Sequence, residues 1–226
     1  WFVQRKTGNA GIVDAGWAAG IGLLGIFFAV TSGGYVPRRL LIAVLIGVWS
    51  LRLAAYLFFG RVLGHPEEGR YQALRKKWAP AVQWNLFRFY QIQASTVLFF
   101  ALPVLVIASH PANRWTAWDL FGTIVWCVGV GNTILSDHQL ARFKRRPESR
   151  GKTCQKGWWR YSRHPNYFFE WLHWCAYPIL AVGAPFWWLT PLAPALMLYF
   201  LLRVTGIPLT EAQAVSSRGE EYRQYQ

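Results

Sequence analysis

Six apolar stretches, each close to the length a helix needs to cross a lipid bilayer, leave this chain few ways to fold. They run over 11–31, 40–60, 89–109, 117–136, 166–183 and 187–206. About 20 apolar residues cover a hydrocarbon core of about 30 Å. Within lipid every backbone N–H and C=O must be satisfied inside the segment, which selects helices. The chain therefore reads as an all-α integral membrane protein, one domain over 1–226 with six transmembrane helices. The third stretch opens on Phe89, Tyr90, Gln91 and Gln93, so its entry is expected at the interface. The first residue is Trp1 rather than Met, and the reading expects a missing N-terminal segment able to supply a seventh span.

The net charge of +14 would suggest nucleic acid if it were spread over a soluble surface, but here it follows the loops. Two Lys or Arg precede the first stretch (Arg5, Lys6), six lie in 61–88, nine in 137–165 and three in 203–226. If the helices alternate, those 20 share one side, and only Arg38, Arg39 and Arg114 lie on the other. Such a bias places the basic side in the cytoplasm. A nucleic-acid partner is not expected. The three cysteines (Cys127, Cys154 and Cys175) lie far apart, with no CxxC and no His at metal spacing, so neither a disulfide framework nor a metal site is expected.

Proline and glycine punctuate the stretches at Gly33-Gly34, Pro37, Pro111, Gly157, Pro165 and Pro208, where helix ends are predicted. Pro103, Pro178 and Pro194 fall inside predicted spans and should kink them.

The densest chemistry lies in 157–174, GWWRYSRHPNYFFEWLHW. Arg160, Arg163 and His164 precede Pro165, which is expected to start a helix. A cationic loop entering a helix N-terminus suits phosphate groups, because free N–H groups and the dipole add to the charge. Asn166 and Glu170 are four apart and Trp174 one turn further, so the three share a face. A carboxylate one turn into an apolar helix is costly unless it has a task or a partner. The bland alternative is an aromatic interfacial belt with topology-determining arginines. His173 reads as a hydrogen-bonded interior residue. Asp137, Arg142, Lys144, Arg145, Arg146, Arg150, Lys152 and Lys156 complete the loop, and as a group they could grip a 2′-phosphate and a pyrophosphate. No Gly-x-Gly-x-x-Gly follows a strand, so any dinucleotide must be held by helices and loops.

Three more polar residues lie at membrane depth. Arg52 shares a helix face with Trp49 and Tyr56, Asp14 lies near the start of the first helix, and Glu211 follows Pro208. An Asp14–Arg52 pair buried for structure is one expectation. A catalytic acid at Asp14 or a nearby tyrosine is the other.

At these residues the chain resembles the steroid 5α-reductase family, including its bacterial membrane members. The resemblance rests on GWWRYSRHPNYFFEWLHW, on NAGIVDAGW, on RLAAYLFFGR followed by EEGRY, on SDHQLARFK, and on the terminal GIPLTEAQ and RGEEYRQY. It implies a seven-helix membrane bundle that transfers hydride from NADPH to the β-carbon of an enone, most simply the Δ4 bond of a 3-oxo steroid. It also implies that Asn166, Glu170 and Trp174 face the cofactor. Asp137, Lys144, Lys152, Tyr161, Arg163 and Glu211 match binding elements, with Arg52 and His164 grouped beside them. The family's usual carbonyl-binding acids are not matched, and Asp14, Trp49 and Tyr56 stand as the catalytic candidates. The implied partners are a lipophilic steroid-like enone and membrane lipids, with the protein a monomer. The implied location is a bacterial inner membrane, with the endoplasmic reticulum as the alternative. The rival reading is an S-adenosylmethionine-dependent methyltransferase of the isoprenylcysteine carboxyl methyltransferase type, which shares an Arg-His-Pro-x-Tyr element. That cofactor carries no phosphate and has no need of nine loop cations.

Overall fold

A computed structural model describes residues 1–149, 151–204 and 206–226. Arg150, one of the loop cations, lies outside the described residues. Among them the secondary structure is entirely helical, and five stretches are long and apolar enough to cross a membrane: Ile12–Thr31, Val36–Val62, Val82–Ala108, Ala117–Lys144 and Trp187–Arg218. The stretch predicted over 166–183 differs: its helix runs Pro165–Leu180, 16 residues. At 1.5 Å per residue it is about 24 Å long, short of the hydrocarbon core. Its run is cut by the turn at Gly183, whose φ of 91° takes the chain out of the helical region. The chain divides into two compact units, Trp1–Trp115 with Gly183–Pro185, and Thr116–Val182 with Phe186–Gln226.

The first unit contains α1 (Phe2–Thr7), α2 (Ile12–Thr31), α3 (Val36–Leu57, continued by a π-helical turn Phe58–Val62), α4 (Gly69–Lys77) and α5 (Val82–Ala108). Pro37 starts α3 and Gly33-Gly34 lies between α2 and α3, as the punctuation predicts. Small residues let α2 approach α3: Ser50 Oγ donates to Ala18 O at 2.8 Å across the contact. Trp17 joins α2 to α5 by donating to Thr96 Oγ1 at 2.9 Å. Leu23, Val30, Leu40, Val44, Leu51 and Leu98 are exposed on these helices. Such an apolar exterior matches a lipid solvent, where leucine costs nothing on the outside.

The second unit contains α6 (Ala117–Lys144), α7 (Pro165–Leu180), α8 (Leu192–Tyr199, continued by a π-helical turn Phe200–Val204), α9 (Ile207–Arg218) and α10 (Glu220–Tyr225). A capping box starts α6: Thr116 N donates to Asp119 Oδ2 at 2.7 Å and Asp119 N to Thr116 Oγ1. Two glycines bring α6 and α7 together. A Cβ on Gly122 would lie 2.5 Å from Leu180, and one on Gly129 would lie 2.7 Å from the backbone and Cβ of His173. Pro103 and Pro178 sit inside helices as expected. Pro194 instead occupies the first turn of α8, where its missing N–H costs no helical bond.

Candidate functional site

The second unit assembles its polar groups where α6 ends and α7 begins. Asn166 Nδ2 donates to Asp137 Oδ1 at 3.1 Å, and Asn166 Oδ1 accepts from Tyr167 N at 3.0 Å. Both sides of the Asn166 carboxamide are thereby oriented. One turn on, Glu170 is half-buried and its carboxylate stands 3.7 Å from His173 Nδ1. That nitrogen is 2.9 Å from the backbone oxygen of Glu170, while Nε2 is 3.3 Å from the Tyr177 hydroxyl. His173 is thus the interior hydrogen-bonded residue the sequence predicts. Trp174 is fully buried, with its ring against those of His173 and Tyr177 at 4.9 and 5.2 Å. Asn166 and Glu170 consequently form the accessible part of the predicted face, and Trp174 its inner end.

Glu211, from α9, organises the cationic loop. Its carboxylate accepts from Arg163 Nη1 at 2.9 Å, lies 2.9 Å from His164 Nε2, and accepts from Gln226 Nε2 at 2.6 Å and the Tyr222 hydroxyl at 3.4 Å. The His164 ring stacks on Tyr167 at 5.6 Å, nearly parallel. Arg163, one of the loop's cations, is therefore already paired with a carboxylate. Lys144 and Lys152 are exposed, and among the described residues no carboxylate pairs with either. Tyr161 is exposed, with its ring edge on Trp158.

The loop is held by residues the sequence reading did not single out. Trp158 N donates to Gln139 Oε1 at 3.0 Å, and its indole donates to Asn132 Oδ1 at 3.0 Å. Trp159 Nε1 donates to Ser136 O at 2.9 Å, and Tyr225 donates to Trp159 O. Thr153 donates through its backbone N and its hydroxyl to Glu221, at 2.7 and 2.5 Å. The tryptophans read in sequence as an interfacial belt therefore serve here as fasteners onto α6. The terminal RGEEYRQY run, which supplies Glu221, Tyr222 and Tyr225, was the available signal for the tail.

In the first unit, Asp14 does not pair with Arg52. Its Oδ2 accepts from Arg70 and from the Tyr71 hydroxyl, the latter at 2.9 Å. The reason is α4, which brings EEGRY against the start of α2; the sequence reading treated that segment as loop. Glu67 completes the arrangement, pairing with Arg75 at 2.8 Å and accepting from Ala10 N at 2.7 Å. Burial pushes the Tyr71 hydroxyl well above the usual tyrosine range, and the Asp14 carboxylate adds to the effect. Burial also works against the charge of Arg70, but Asp14, Tyr71 and Glu68 around it together outweigh this and hold the guanidinium above its usual value. Arg52 is half-buried on α3. Trp49 is fully buried, edge-on to Trp17 at 6.3 Å, and Tyr56 is exposed, with the Arg61 guanidinium 5.7 Å from its ring centre. Each of the three catalytic candidates thus has a different neighbour. Among the described residues the Tyr56 hydroxyl has no hydrogen-bond partner, which leaves it the freest donor of the three.

No curated protein and no solved structure matches the chain. One family model matches residues 1–226, the whole of the sequence, under the description "Protein of unknown function (DUF1295)". The chain, with its capped and glycine-packed α6–α7 pair, is a member of the DUF1295 family.

Proposed function

We propose that this protein is an NADPH-dependent reductase of the carbon–carbon double bond of a lipophilic enone, with the Δ4 bond of a 3-oxo steroid as the substrate class. The observation that carries the reading is Asn166, locked to Asp137 with Glu170 one turn further, at the start of a helix entered from a cationic loop. The resemblance to the steroid 5α-reductases over several blocks of the chain supports it. The donor set suits a phosphorylated dinucleotide: Lys144, Lys152 and Arg160 carry charge that no described carboxylate neutralises, and Asp137 and Glu170 offer acceptors for hydroxyl and amide groups. When bound, NADPH supplies the hydride.

The protein's own contribution is orientation and charge. Asp137 fixes the Asn166 amide and Glu211 holds Arg163 and His164 in the loop; a donor to the enone carbonyl, for which Tyr56 is the candidate, would stabilise the charge that develops on oxygen. The substrate enters from the bilayer, and the cofactor side is the cytoplasm, on the strength of the charge bias.

Thermal unfolding of detergent-purified protein with NADPH, NADH or S-adenosylmethionine tests the reading without a substrate. A ligand at 100 times its Kd stabilises the folded state by about 2.7 kcal/mol. Stabilisation by NADPH alone is expected; stabilisation by S-adenosylmethionine alone would replace the reductase with the methyltransferase. Glu170→Gln should fold normally and lose NADPH affinity. Tyr56→Phe should keep NADPH affinity and lose kcat with the enone, by about 10²-fold or more for a removed transition-state hydrogen bond; undiminished kcat would discard Tyr56.

A further inference from the structure

The face of α6 opposite Asp137 carries a second basic feature, apart from the Lys144, Lys152 and Arg160 set proposed above for the nucleotide. At 100° per residue, Gln139 and Arg142 lie roughly opposite Asp137 on α6, and Arg146 follows just past the helix end. There a cavity of about 270 Å³ is lined by Gln139, Arg142 and Phe143 from α6, by Arg146 just past its end, and by Cys154 and Lys156 from the loop. Among the described residues no carboxylate pairs with Arg142, Arg146 or Lys156. The wall depends on Gly157, at φ 60°, where a Cβ would lie 2.5 Å from the Gln139 carboxamide. This close approach lets the loop lie against α6, so that the three cations line one cavity.

The same face continues down the membrane-spanning part of α6 as an apolar stripe. Phe121, Ile124, Val128 and Leu135 follow one another at helical spacing below Gln139 and Arg142, and each is more than two-fifths exposed. From Phe121 to Leu135 the stripe is about 21 Å long, more than the ~15 Å of one leaflet's hydrocarbon. A soluble anion has no use for such a stripe. A phospholipid does, because its acyl chain can lie along the stripe while its phosphate reaches the cations at the helix end.

We propose that this face of α6 binds one anionic phospholipid, with its headgroup phosphate held by Arg142, Arg146 and Lys156 and an acyl chain on Leu135, Val128 and Ile124. Basic pockets at the cytoplasmic end of spanning helices are suited to such headgroups. The proposal stands apart from the nucleotide site and does not depend on it.

The test compares delipidated protein in neutral detergent with added phosphatidylglycerol, phosphatidylcholine, glycerol 3-phosphate or inorganic phosphate, reading retained lipid by native mass spectrometry and the melting temperature. Phosphatidylglycerol should be retained and should raise the melting temperature, while phosphatidylcholine, glycerol 3-phosphate and inorganic phosphate do much less. In R142Q/R146Q its affinity should fall roughly fivefold per cation, on the order of twenty- to thirtyfold for the pair. The charge-matched control R145Q/R160Q should retain it, and K156Q alone should show an intermediate loss. Equal retention of both lipids would overturn the proposal, as would equal loss in the control. Full stabilisation by inorganic phosphate would overturn it too, leaving a free-anion site.

Discussion

Gly129→Ala is the sharpest perturbation of the α6–α7 pair, because its consequences follow from distances. In a helix interior Gly→Ala ordinarily stabilises, by about 0.5–1 kcal/mol. At Gly131, two residues on, nothing lies within 4 Å of an added Cβ, and that gain should be realised. At Gly129 the new methyl would stand 2.7 Å from His173 N and Cβ and 2.8 Å from its Cα, against an ordinary carbon contact of about 3.5–4.0 Å. None of those atoms can be moved by rotating a side chain, so α7 must back away by roughly 1 Å. Overpacking of this kind costs typically about 1–3 kcal/mol, which outweighs the propensity gain. Mid-range values leave a net loss of roughly 1.25 kcal/mol, and at about 2–4 °C per kcal/mol for a chain of this size Gly129→Ala should melt roughly 2–5 °C below the wild type and Gly131→Ala slightly above it. The same displacement stretches the 3.1 Å Asn166–Asp137 bond, two turns along α6, past bonding range. NADPH stabilisation should therefore weaken in Gly129→Ala and persist in Gly131→Ala. Differential scanning fluorimetry of both variants, with and without NADPH, reads both effects. A Gly129→Ala protein that melts at or above the wild-type temperature and binds NADPH equally well would refute the packing argument and its link to the site.

Two further perturbations address the networks at the helix ends. Glu211→Ala leaves Arg163, His164, Tyr222 and Gln226 without their shared acceptor, at a cost of about 1–3 kcal/mol. Trypsin should then cut at Lys152, Lys156 and Arg160 faster than in the wild type; an unchanged digestion rate would show that the tail does not hold the loop. Tyr71 concerns pH. Its hydroxyl is raised above the ordinary value of 10, so the folded state favours the protonated form and loses stability as pH climbs past 10. Tyr71→Phe should be less stable than the wild type at neutral pH, having lost the bond to Asp14, yet fall less steeply above pH 10 in thermal melts. Parallel pH curves would remove Tyr71 from the alkaline transition.

Much of the architecture was legible in the sequence because hydropathy and helical period are local properties. The long apolar runs, the helix starts at Pro37, Pro165 and Pro208, and the interior placement of His173 all follow from residues within a few turns of one another. The shared face of Asn166 and Glu170 is equally local, since i and i+4 always meet on a helix. What the sequence could not settle were the partners of the charges. Asp14 meets Arg70 across 56 positions, Glu211 meets His164 across 47, and Thr153 meets Glu221 across 68. A buried charge requires some partner, but which one depends on where helix ends and short helices such as α4 come to rest. The length of α7 belongs to the same class, since apolarity continued past the point where the turn at Gly183 ended the helix. Sequence alone determined that the chain is helical, apolar enough for a bilayer and basic at its loops. Only the tertiary structure decided which cations are already bonded to carboxylates and which remain open, because that depends on contacts that no local pattern encodes.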